Sequence, residues 1–197
     1  MTEDWKKACA VQAQCAYPEA TIVFGEGPFI RPLLAVIGEA PGAEEEKLRR
    51  PFVGKAGKNL DSFLAVLGLM RAEVYITNLV KLRPSKISKA GRVVNRAPNK
   101  EEISLFAPML RDELAIAAPR FIATLGNFAL RAMLGDDTAT IGQHHGKLIQ
   151  LPDGRELFPL YHPASVIYNR ALADVYAADL AALRETLRRV EDARSAN

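Results

Sequence analysis

Apolar residues fall in short blocks along this chain. Positions 33–37, 74–77, 120–125 and 157–161 are apolar at nearly every residue. A strand written this way must be covered on both faces, which suits a parallel sheet lying between helices. The intervening segments carry a helical spacing, as with Leu60, Phe63, Leu64 and Leu67 in a helix expected over 58–69. Further helices are expected over 3–15, from Asn99 onward, up to about Gly135, and over 172–190. Asn99 with Glu102 three residues on matches a capping box. Pro108 predicts a kink or break in that helix. The segment 81–98, with Pro84, Gly91 and Pro98, reads as loop, and 136–156 as loop plus a hairpin around Pro152-Asp153-Gly154. The alternation predicts an α/β fold: one domain of three layers, α/β/α, with a mainly parallel four-stranded sheet, a core over 22–188 and a polar tail over 191–197.

Composition narrows the class. With 197 residues, 49% hydrophobic and 25% charged, the chain is long enough for a good core and ordinary for a soluble protein. No apolar run approaches a membrane span. The first residues, Met1-Thr2-Glu3-Asp4-Trp5, carry acids and no apolar stretch behind them, so no secretory signal is expected. Cys9 and Cys15 are too few for a disulfide framework, and the expectation is a cytoplasmic monomer with reduced thiols. Net charge is only +3, but it is unevenly spread. Lys81, Arg83, Lys86, Lys89, Arg92, Arg96 and Lys100 occur in a stretch with no acid. That stretch is either a solvated loop or a surface facing phosphates.

In an open α/β sheet, ligands bind beyond the carboxyl ends of the strands. The residues there are Glu39, Asn78, Gly126-Asn127 and His162. Each has an ordinary structural reading as a turn or cap. Together they place a carboxylate, an amide and an imidazole around one crevice. Pro51-Phe52-Val53-Gly54 returns an aromatic ring toward Gly38-Glu39-Ala40-Pro41-Gly42. An amide offers a donor beside an acceptor, which suits the edge of a planar heterocycle. An aromatic ring can stack on that heterocycle, and a histidine can donate to an oxygen that gains charge. Glu39 can hold a water or balance a cationic sugar. The set fits a nucleobase held outside its helical stack. No phosphate loop and no dinucleotide fingerprint is present. Ser165 lacks a nucleophile-elbow context, and His144-His145 lack partners at metal-ligand spacing.

These runs resemble the uracil-DNA glycosylase superfamily, nearest to its iron–sulfur (family 4) branch. The resemblance rests on Gly38 to Gly42, Arg50 to Gly54 with Ala56-Gly57, and Val74 to Asn78 with Val80-Lys81 and Arg83-Pro84. It continues through Thr124-Leu125-Gly126 to Tyr161-His162-Pro163-Ala164. It implies hydrolysis of the N-glycosidic bond of deoxyuridine in single- or double-stranded DNA, as in base-excision repair. Glu39 and His162 would be catalytic, and Gly38, Phe52, Asn78 and His162 would bind uracil. Lys81, Arg83, Lys86, Lys89, Arg92 and Arg96 would face DNA, with Ala164 and Ser165 in a wedge loop. The alternatives are an inactive DNA-binding member of the fold or a glycosylase for hypoxanthine or xanthine. Family 4 also implies a 4Fe–4S cluster on four cysteines. Here Cys15 matches one, while Gln12, Leu82 and Phe106 stand at the others. No cluster and no metal are expected, with Leu82 and Phe106 filling the space. Three further departures are a longer basic loop, Asn95 near the site of a covalent histidine in a related branch, and His145 and Tyr168 in place of arginines.

Overall fold

A computed structural model describes residues 3–195 of the chain. In chain order the elements are α1 (Glu3–Ala16), β1 (Leu34–Gly38), α2 (Ala43–Leu48), α3 (Lys55–Leu67), β2 (Tyr75–Asn78), β3 (Ser85–Ile87) and β4 (Val93–Asn95). Then follow α4 (Lys100–Ala117), β5 (Phe121–Leu125), α5 (Asn127–Leu134), α6 (Ile141–His144), β6 (Ile149–Gln150), β7 (Glu156–Leu160), α7 (Pro163–Tyr168) and α8 (Ala173–Ser195). The main sheet has the order β2-β1-β5-β7-β6. Its first four strands are parallel, and β6 pairs antiparallel with β7. The four expected strands are therefore joined by a fifth, the first arm of the hairpin read around Pro152-Asp153-Gly154.

The uniformly apolar strands do what such strands must: they feed two cores. Ala35, Ile37, Tyr75, Ile122 and Leu157 face one core with α1, α4 and α5. Leu34, Val36, Ile76, Phe121, Ala123, Phe158 and Leu160 face the other, with α3 and α8. Alternate residues of each strand point to opposite faces, so the split is the period-two geometry of the sheet made visible.

Several expectations need correction. The basic segment is not all loop, because β3 and β4 form an antiparallel hairpin pairing Ile87 with Val93 and Ser85 with Asn95. Three-residue strands are too short to announce themselves by alternation. Pro108 does not break α4, which runs from Lys100 through to Ala117. The residues after His162 form the short helix α7 instead of a loop. Helix α8 extends to Ser195, beyond the expected end; Ala196 and Asn197, the end of the expected tail, lie outside the described residues. The capping box at Asn99 is present as read: its side chain accepts from the Glu102 N–H at 2.8 Å, and Glu102 accepts from the Asn99 N–H at 2.8 Å.

Candidate active site

The carboxyl ends of β1, β2 and β7 open onto a cavity of about 420 Å³. Its walls include Glu39, Phe52, Asn78 and His162. Register aligns the first pair, since Gly38 sits opposite Asn78 in the β1–β2 ladder. A Cβ added at Gly38 would lie 2.4 Å from Asn78 Oδ1 and 2.4 Å from Phe52 Cζ. Only glycine lets the amide and the ring close in on this strand end. Leu79 and Val80 N–H groups donate to the Gly38 and Glu39 carbonyls at 2.9 and 3.0 Å, which ties the two strand ends together.

Phe52 has a left-handed backbone, φ 53°, a conformation that costs a non-glycine residue free energy and needs external support. The support is visible. Arg71 donates to the carbonyls of Phe52, at 3.0 Å, and of Pro51. Gly57 leaves room for the Phe52 carbonyl, which a Cβ there would meet at 1.9 Å. Glu45 completes the frame: its carboxylate accepts from the N–H groups of Gly42 at 3.0 Å, Val53 at 3.0 Å and Gly54 at 2.7 Å. Charge-assisted bonds of this kind are stronger than neutral ones, and here they join the two glycine-rich loops. Glu45 was not legible as a site residue; its one signal is a position three residues after Gly42. Lys55, at the first turn of α3, also lines the cavity and was likewise missed.

His162 caps α7. Its Nδ1 accepts from the Ala164 N–H at 3.2 Å, so the ring proton sits on Nε2. Burial lowers its pKa below the ordinary 6.5 and keeps it neutral at neutral pH. Its ring lies 6.4 Å from that of Phe52, centroid to centroid, with 27° between planes. Glu39 has the opposite shift: burial raises its carboxyl above the ordinary 4.5. Among the described residues no cation or hydrogen-bond donor meets that side chain.

Asn78 is fixed from behind. Its backbone carbonyl accepts from Lys81 Nζ at 2.7 Å. Lys81 also donates to Thr77 Oγ1 at 2.6 Å and forms an ion pair with Glu113. Thr77 and Tyr75 donate their hydroxyl protons to Glu113. Both Lys81 and Glu113 side chains are 0% exposed. Lys81 therefore cannot face DNA, which corrects the sequence reading; it is a buried strut under the amide.

The rest of the basic run divides. Arg83 is committed to Glu46 at 3.0 Å and Asn95 at 2.8 Å. Arg96 lines the cavity and holds Glu102 through two bonds of 2.7 Å. Lys86, Lys89 and Arg92 are exposed on the hairpin and make no ion pair among the described residues. Ala164 lines the cavity, while Ser165 continues the first turn of α7. The side chains of Ile167 and Tyr168 lie outside the described set. His145, the other departure from arginine, pairs with Asp179 at 2.9 Å.

A model of the uracil DNA glycosylase superfamily matches residues 24–188. The chain belongs to this superfamily. It is 36% identical over 176 residues to the type-4 uracil-DNA glycosylase of Sulfurisphaera tokodaii, covering 86% of this chain and 71% of that one. The corresponding enzyme of Pyrobaculum aerophilum is 39% identical over 155 residues, 74% of each chain. A type-5 uracil-DNA glycosylase of Pyrobaculum aerophilum is 33% identical over 172 residues, covering 78% of this chain and 69% of that one. The type-4 branch fits the chain.

An iron–sulfur cluster of the family-4 kind does not fit the residues present. It needs four thiolates. Leu82 and Phe106 are buried apolar core residues, and Gln12 and Cys15 are exposed on α1. Cys9 is buried, its thiol 3.1 Å from Met109 Sδ, and burial pushes its pKa up to about 11. Such a thiol is inert. Among the described residues no group of three or more His, Cys, Asp or Glu could hold a metal, and no helix is long and apolar enough to cross a membrane.

Proposed function

We propose that this chain is a uracil-DNA glycosylase that hydrolyses the N-glycosidic bond of deoxyuridine in DNA, as a cluster-free member of the type-4 branch. The observation that carries the reading is the convergence of Asn78, Phe52, His162 and Glu39 on one cavity. The Asn78 amide pairs with the uracil edge, where a carbonyl stands beside an N–H. The Phe52 ring supplies a stacking face. His162 donates its Nε2 proton in a hydrogen bond to a uracil carbonyl as the base leaves. A neutral imidazole suffices, because the bond strengthens as charge develops on that oxygen.

In the step itself, a water oxygen bonds to the anomeric carbon while the carbon–nitrogen bond breaks. The bond pair departs on the base, and the water proton passes to Glu39. Burial makes Glu39 more basic than an ordinary carboxylate. Because no cation among the described residues neutralises it, its negative charge also stabilises the positive charge growing on the sugar. Leu82 and Phe106, at the positions where the resemblance puts two cluster cysteines, pack into the core, and the proposed protein needs no metal.

The test is excision from a labelled oligonucleotide with one deoxyuridine, read by alkali cleavage at the abasic site with chelator present. Asn78→Asp loses uracil recognition. His162→Ala lowers the rate by roughly 10²–10³, with the fold retained apart from the small cost of losing the α7 cap. Wild-type rates in both variants would remove the site from this reaction; no cleavage by the wild type would remove the reaction from this chain.

A further inference from the structure

The β3–β4 hairpin carries an apolar pair that the core does not use. Ile87 is 75% exposed and Val93 58% exposed. They face each other across the ladder, one register step of two residues from the pair Ser85–Asn95. Cross-strand partners and their neighbours two residues along share one face of a hairpin. Asn95 lines the cavity, and its Nδ2 would lie 3.2 Å from a Cβ at Gly42. The face that closes the cavity wall therefore continues outward as two β-branched apolar side chains.

The hairpin is stiff. Arg92 and Ser88 exchange two hydrogen bonds at its turn, 2.8 and 3.2 Å. Arg83 and Arg96 anchor its root through ion pairs to Glu46 and Glu102. Lys86 in β3 and Lys89 and Arg92 in its turn are exposed, and no acid lies between 81 and 100. Exposed apolar residues flanked by cations without ion-pair partners among the described residues match a nucleic-acid duplex with a gap in its stack. The phosphates meet the cations, and the apolar pair enters the space that a base has left. Proteins that unstack duplexes use apolar side chains in this way, and extrusion of a base carries an unstacking cost that an inserted side chain offsets.

We propose that Ile87 and Val93 form a wedge that enters the duplex beside the extruded nucleotide, a second DNA contact separate from the turn after His162. The inference rests on the glycosylase reading for its substrate, but its test does not need catalysis. Ile87→Thr with Val93→Thr keeps β-branched side chains and exchanges one apolar branch of each for a hydroxyl.

Wild type and this variant are titrated onto a duplex holding a tetrahydrofuran abasic site with 2-aminopurine next to it, and onto the same strand alone. The duplex affinity falls by roughly tenfold, the scale of losing one or two buried methylene-sized groups. The single-strand affinity is unchanged, and the 2-aminopurine fluorescence that reports unstacking is lost in the variant. Equal loss on both DNAs, or no loss on the duplex, overturns the wedge, as does a wild type that binds neither. A wild type that binds the duplex and shows the unstacking signal but excises no uracil refutes the glycosylase reading and leaves the wedge standing.

Discussion

Lys81 and the three hairpin cations, Lys86, Lys89 and Arg92, belong to one acid-free stretch of sequence, yet the fold treats them in opposite ways. Lys81 is fully buried, with a carboxylate, a hydroxyl and a backbone carbonyl around its ammonium group. The hairpin cations stand in water without ion-pair partners among the described residues. A run of like charge is thus not one object. Where the chain leaves β2, a charge is drawn under the sheet end, because Glu113 on α4 waits there and cannot stay buried alone. Where the chain projects beyond the sheet, the same charge type is left for a partner. The buried cation contributes geometry to Asn78; the exposed cations contribute field.

The largest effect should come from breaking the buried pair. Lys81→Met leaves Glu113 charged or forced neutral inside the core, at a cost of about 3–5 kcal/mol in unfolding free energy. Lys81→Met with Glu113→Gln removes both charges and keeps an acceptor for Tyr75 and Thr77, so it should recover most of that loss. Urea unfolding of the single and double variants measures both. A double variant as unstable as the single one would mean that the pair is not the source of the loss.

The same double variant separates stability from positioning. It folds, but the Asn78 carbonyl has lost its Lys81 donor, and the amide is free to drift from the line of Gly38. Small misplacements of a recognition group can cost up to about 10²-fold in rate. Excision should therefore fall by one to two orders of magnitude on that scale, with affinity for undamaged DNA unchanged. A wild-type rate would leave the strut a purely structural device.

Between the buried and exposed extremes lie Glu39 and His162, partly buried and, among the described residues, without ionic partners. Their shifts run toward each other: Glu39 rises from 4.5 and His162 falls from 6.5. The proposed reaction uses Glu39 ionised and His162 neutral, and both conditions are met as pH rises. The acid limb of kcat/KM should therefore lie above pH 4.5 where Glu39 sets it and below pH 6.5 where His162 sets it, with the rate flat above. Glu39→Gln should remove that group's share of the limb along with most of the activity. In the Glu39→Gln protein, a residual limb centred above pH 6.5 would contradict the downward shift of His162.

Much of this site is written in the chain. Blocks apolar on both faces announce a covered parallel sheet, and the residues just past them are Glu39, Asn78 and His162, the ones the cavity gathers. Phe52 was readable because glycines and a proline surround it. Glu45 and Lys81 were not, because their roles depend on which backbone or carboxylate the tertiary fold brings to them. A glutamate in a charged helix and a lysine in a basic run look solvated until Gly54 and Glu113 are seen beside them. The hairpin escaped notice for a related reason. Its strands are three residues each, and Ile87 and Val93 carry no amphipathic pattern because neither face is packed on a core.

The smallest effect sharpens the comparison most. Neutralising Lys86, Lys89 or Arg92 singly should shift unfolding free energy by less than about 0.5 kcal/mol, as at other exposed positions. If each meets a phosphate, each alanine variant should lower the slope of log affinity against log salt by about one. Lys81→Met with Glu113→Gln should leave that slope where it is, since its ammonium never reached the surface. Titrations at a series of salt concentrations measure all four slopes. A slope that changes with the Lys81 double variant, or fails to change with the hairpin variants, would dissolve the division between the two ends of the run. A solvated lysine far from phosphate has no counterion to release from DNA, however basic its neighbours are.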